Sequence, residues 1–228
     1  MRLPLAILVA LAGSAAADDF VPERVPERVT VRAAGELGQD TQSLSLDGWY
    51  DVNARFRLGL TTSTDARHEL GAGRGLCLND CDTRFGGLAA ETQIRVGSGL
   101  IGRAAIDTTR FAPTAAAIEL GIDARYASGR YAALIAPVLR LGIARRDLAN
   151  GDTAALFVQL SVRAWCNGGV LAIARGGLAL DDLRGTPSFG AAGGVYVELG
   201  AFTITARFGV AEVSNDHVFG ELALGWSS

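Results

Sequence analysis

Lysine is absent from this 228-residue chain, and all 21 basic residues are arginine. With 24 acids against them the net charge is −3, and no basic cluster stands out, which argues against a nucleic-acid partner. Histidine is nearly missing too: His68 and His217 are the whole supply of the usual general base. No run approaches the ~20 uninterrupted apolar residues of a membrane helix, so the chain does not read as an inner-membrane helical protein. Aromatics are sparse at 7%, and cysteine (3), proline (6) and methionine (1) are scarcer still. Glycine, at 29, and an apolar fraction of 49% are what the chain has in quantity, and they suit strands that bend and turn often.

The dominant pattern is alternation with a period of two, cleanest at residues 118–126. Ile118, Leu120, Ile122, Ala124 and Tyr126 share one face, while Glu119, Gly121, Asp123 and Arg125 share the other, because successive strand residues point to opposite sides. The beat returns in NARFRLGL, ETQIRVG, LFVQLSVR, AFTITARFG and ELALGW. Nearly the whole chain is predicted to be sheet.

The first 17 residues read as a secretory leader: Arg2 is the positive start, Leu3 to Leu11 the apolar centre, and Ala15-Ala16-Ala17 the cleavage site. No cysteine follows the apolar centre, so a lipid anchor is not expected. Residues 18–27 are then a short periplasmic segment and 28–228 the folded domain. An exported sheet that closes on itself and is apolar outside is how a β-protein crosses lipid. The expected fold is all-β, a closed antiparallel up-and-down transmembrane barrel in the outer membrane.

Turn signals divide residues 28–228 into about twelve strands, near 28–36, 41–50, 54–64, 83–97, 100–110, 114–127, 130–145, 153–166, 170–182, 189–199, 201–213 and 218–228. Ten is the alternative count, if residues before about Thr41 stay outside. Connections near 51–53, 97–99, 128–129, 167–169 and 200 are tight, while those at 65–82, 146–152, 183–188 and 214–217 are longer and more polar. Short turns thus gather at one end and long loops at the other, with Tyr50, Tyr126 and Tyr131 in an aromatic girdle at the short-turn end. Strand 170–182 breaks the pattern, because Leu171 and Ile173 share the parity of Arg175; a bulge or a register change near Gly176-Gly177 is expected there.

These features resemble the broad class of Gram-negative outer-membrane β-barrel proteins. The resemblance rests on the leader, the alternating strands from about Val29 onward, and the last strand FGELALGW, in which Leu222, Leu224 and Trp226 share a face. That ending is similar to the C-terminal aromatic signal of the class and implies the barrel-assembly machinery and outer-membrane lipid as partners. Two serines follow Trp226, where the class more often ends on the aromatic itself.

Charges facing lipid at mid-depth would cost ~2–4 kcal/mol each for arginine. The charged phase is therefore assigned inward: Arg55, Arg57, Glu91, Gln93, Arg95, Arg103, Asp107, Glu119, Asp123, Arg125, Arg140, Gln159, Arg163, Arg207 and Glu221. Arginines outnumber acids in that set. Two roles fit it, a register-holding network of ion pairs and a polar channel that favours anions.

Cys77 and Cys81 share one Gly- and Asp-rich loop and are expected to form a disulfide in an oxidising compartment, with Cys166 left free. Asn79, Asp80 and Asp82 lack the glycine turn and distal acid of a calcium loop, so no metal is assigned. His217 has Asp216 beside it and Ser214 three residues away, but adjacent strand residues point apart, and no catalytic residue or cofactor is assigned. The leading functional reading is a narrow porin-like channel or transporter for small polar or anionic solutes. A structural or adhesive barrel binding partners through its outer loops is the alternative, and an outer-membrane hydrolase comes after it.

Overall fold

A computed structural model of the protein describes residues 28–38, 42–63, 87–111, 114–145, 152–180, 187–210 and 218–228. The leader, the segment 18–27, Cys77, Cys81, Asn79, Asp80, Asp82, His68 and His217 lie outside the described residues. Among the described residues every regular element is a strand.

The strands are β1 (Val29–Gly38), β2 (Gln42–Asp51), β3 (Phe56–Ser63), β4 (Gly87–Gly97), β5 (Leu100–Phe111), β6 (Thr114–Ser128), β7 (Tyr131–Ala144), β8 (Thr153–Trp165), β9 (Gly168–Ala179), β10 (Ser188–Leu199), β11 (Phe202–Val210) and β12 (Val218–Ser227). Each pairs antiparallel with its sequence neighbours, and β1 pairs with β12 from Thr30↔Ser227 to Gly38↔Phe219, closing the barrel. The count is therefore twelve, with β1 part of the wall rather than outside it. Closure leaves no open strand edge, so every ladder is satisfied within the chain. At the seam Val29 N donates to Ser228 Oγ (3.0 Å) and Arg28 Nη2 to Ser227 Oγ (2.5 Å), so the two C-terminal serines tie the barrel shut.

The alternation of the sequence becomes an inside and an outside. Leu58, Leu60, Ile94, Ile106, Leu120, Ile122, Leu160, Phe208, Leu222 and Leu224 are exposed on the outer surface. Tyr50, Tyr131, Trp165, Phe202 and Trp226 are also exposed there, each within a few residues of a short turn or of the chain end beside those turns. The short turns follow β2, β4, β6, β8 and β10, where Gly99, Gly129 and Gly200 take positive φ, a conformation glycine reaches without steric cost.

One local expectation fails. β9 pairs with β10 without a break from Gly168 to Gly177, so there is no register change at Gly176-Gly177. The nearest shift lies on the other ladder of β9, between Arg163 and Trp165 of β8. Leu171 and Ile173 need no bulge because they face inward with Arg175 and are buried there, in the cluster of Leu171, Ile173, Ala192, Tyr196 and Phe219.

Candidate functional site

The inner face carries charge on most strands, and pairing across the barrel organises it into clusters. In the first, Arg32 of β1 lies between Asp47 of β2 (Nη1–Oδ2 3.4 Å) and Glu221 of β12 (Nη2–Oε1 2.7 Å). Arg207 of β11 completes it by donating Nε to Glu221 Oε1 (3.1 Å) and Nη2 to Glu221 Oε2. At the short-turn end of β2 and β3, Arg57 Nη2 donates to Asp51 Oδ2 at 2.8 Å.

Across β5, β6 and β7 a third cluster joins Arg140 to both Asp107 and Glu119, each at 2.6 Å. Lower on β6, Asp123 lies 3.6 Å from Arg103 Nε and 3.2 Å from Arg125 Nη2. Arg103 lies flat against β6 because residue 121 has no side chain: a Cβ on Gly121 would sit 2.8 Å from Arg103 Nε. On the β8 and β10 side Arg163 Nη2 pairs with Glu198 Oε2 at 3.5 Å, and Gln159 Nε2 donates to Ser161 Oγ at 3.2 Å.

Two of the carboxylates and arginines singled out from the sequence stand apart from these pairs. Glu91 accepts a hydrogen bond from Gln93 Nε2. Arg95 sits on the inward phase near the β4–β5 turn. Arg55 differs from the expectation altogether: it lies in the exposed turn between β2 and β3, outside any strand. The turn is shaped by Asn53, whose Oδ1 accepts from the backbone N–H of Arg55 (2.9 Å) and Phe56 (2.8 Å), as asparagine commonly does in turns.

Sequence reasoning missed Arg32, Glu36, Asp47, Asp51, Arg175 and Glu198, all on the inward phase. Asp47 and Asp51 carried a signal, since they share the parity of Ser45 and Trp49, but a turn was expected at 51–53. With these residues added and Arg55 removed, the numerical excess of inward arginine disappears.

The aspartates and five of the arginines differ in depth. Asp47, Asp51 and Asp107 are 0%, 1% and 0% exposed, whereas the side chains of Arg32, Arg57, Arg103, Arg125 and Arg163 keep between 17% and 29% of their surface accessible. A short aspartate hugs the wall and a long arginine reaches past it, so guanidinium groups form much of the accessible lining. Glu119 and Glu198 reach as far, at 30% and 44%, while the side chains of Arg140 and Arg207 are buried at 6% and 8%. Among the described residues no group of histidine, cysteine or acidic side chains is arranged to hold a metal ion.

No family model matches the sequence, and no curated protein does. The fold, in contrast, is similar to that of the KdgM porin in complex with disordered oligogalacturonate, with a TM-score of 0.62, 7% identity, and coverage of 86% of this chain and 98% of that one. It is also similar to the NanC porin in a rhombohedral crystal form, with a TM-score of 0.58, 9% identity, and coverage of 87% and 98%. What this chain shares with these porins is the closed barrel.

Proposed function

We propose that this protein is a narrow outer-membrane channel for small anionic solutes, exported by a leader over residues 1–17. The observation that carries the reading is the layered lumen, with buried aspartates at the wall and accessible arginines in front of them. A passing solute meets guanidinium groups first, and such groups bind carboxylates and phosphates through paired N–H donors. The aspartates behind keep the net charge low enough for the barrel to hold so many arginines at close range, since buried charge persists only when paired.

Three further observations support it. The apolar exterior with its aromatic residues near the short turns suits a lipid bilayer. A barrel of twelve strands lies between small filled barrels and wide 16-stranded porins. The KdgM porin of similar fold was solved with oligogalacturonate, an anionic saccharide.

The test is a single-channel recording of the refolded protein under a salt gradient. Small steady conductance with a reversal potential on the anion side is expected, together with a shift in gel mobility between boiled and unboiled samples. Large cation-selective conductance would overturn the reading.

A further inference from the structure

Part of the wall opposite β2, β3 and β4 is apolar, between Arg163 and Glu198 toward the short turns and Arg175 toward the long loops. On β9 the inward residues Leu171 and Ile173 are apolar, and they pack with Ala192 and Tyr196 of β10, Phe219 of β12, and the partly buried Phe157 of β8. Ile173 is 3% exposed and Phe219 2%. Side chains that face the inside of a barrel reach such values only when other side chains fill the space in front of them. Water is displaced from around these side chains.

Local sequence explains how strands so far apart meet. β11 lies between β10 and β12, and its inward residue there is Gly209, which pairs with Ala192 on one side and Phe219 on the other. A Cβ on Gly209 would lie 2.6 Å from Ala192 Cβ and 2.2 Å from Ala191 O. Only a residue without a side chain lets the phenylalanine of β12 join the cluster of β9 and β10.

The position of this cluster matters because a closed barrel of twelve strands sets β8, β9 and β10 opposite β2, β3 and β4. Arg32, Arg57, Arg103 and Arg125, four of the five arginines named above for their accessible side chains, stand on β1, β3, β5 and β6, while the fifth, Arg163, stands with Glu198 on β8 and β10, nearer the short turns than Ile173 and Ala192. We infer that the cluster around Phe219 and Ile173 is an apolar septum that closes one side of the lumen and confines the solute path to the arginine wall. The septum, as much as the arginines, then sets the size limit and the charge preference of the channel. This rests on the channel reading for its consequence and on packing alone for its existence.

Two measurements separate those halves. In the first, cysteine is placed in the septum (Ala192→Cys) and at the accessible lumen position (Glu198→Cys), and each is labelled in the folded barrel with a small hydrophilic thiol reagent, read by peptide mass. Labelling at 192 is expected to be at least tenfold slower than at 198, and to recover when Phe219→Ala is added. Equal rates would overturn the septum whatever the protein conducts.

The second measurement is conductance of Phe219→Ala and Ile173→Ala, each verified as folded by its unboiled gel mobility. At least a twofold rise with weaker anion preference is expected. Unchanged conductance in both folded variants would overturn the confinement of the path, while a silent parent protein would sink the channel reading and leave the labelling ratio to decide the septum.

Discussion

Arg140 of β7 reaches past β6 to Asp107 of β5, its Nη1 2.6 Å from Oδ2, and the same nitrogen lies 2.6 Å from Glu119 Oε1 on the strand between. Three strands are thus held in register by one guanidinium, with Asp107 wholly buried. Asp107→Asn removes the charge but keeps the shape. It is expected to lower stability by about 2 kcal/mol, the usual scale for a hydrogen bond to a charged group. Urea titration followed by the boiled-to-unboiled mobility shift would read this, and an unchanged midpoint would mean that Glu119 alone neutralises Arg140.

Asp123 serves Arg103 and Arg125 together. Asp123→Asn therefore releases two accessible guanidinium groups at once. The reversal potential under a salt gradient is expected to move further to the anion side, while the barrel still assembles. Movement toward cations would show that Asp123, rather than the arginines, is what a solute meets.

Two glycine substitutions are expected to differ sharply. In Gly121→Ala the new Cβ meets the Arg103 side chain at Nε (2.8 Å) and Cγ (3.2 Å) and the Pro137 carbonyl oxygen at 3.2 Å. The side chain can swing away and the carbonyl need give by only a few tenths of an ångström, so the barrel should refold in normal yield with altered conductance. In Gly209→Ala the Cβ meets the backbone of Ala191 and Ala192, which cannot move without shifting a strand. Refolding yield should fall several-fold. Equal yields for the two variants would contradict the close approach at Gly209.

Cysteine chemistry gives a test of the loop. Cys166 is exposed in the turn between β8 and β9, and a thiol reagent should modify it in the folded barrel. The peptide or peptides holding Cys77 and Cys81 should show a two-hydrogen deficit without reductant. A bridge from Cys166 to either of the other two would place the β3–β4 loop at the short-turn end, against the antiparallel meander.

Much of the wall was readable because its signals are local. Glu119, Asp123 and Arg125 alternate with Ile118, Leu120 and Ile122 within nine residues, and that beat alone assigns β6 and its inner face. Gly99, Gly129 and Gly200 mark tight turns through their own backbone preferences, which separates the short-turn end from the long-loop end. β9 was harder, since Leu171 and Ile173 make the strand apolar on both faces and leave the period of two with nothing to contrast. Arg55 was misplaced for a related reason: its parity matches Arg57, but parity means little once Asn53 has turned the chain.

The sequence by itself determined the strands, the phase of those with a clear alternation such as β6, and the alternation of turn lengths, because each depends on residues a few positions apart. Only the tertiary structure decided which charges pair and which are accessible. Arg32 and Glu221 are separated by 189 positions and meet because closure lays β1 beside β12. The arginines lead the aspartates into the lumen because, on a curved wall seen from inside, side-chain length becomes depth. The septum, too, exists only in the closed barrel, where Gly209 leaves the gap through which β12 reaches the cluster on β9 and β10.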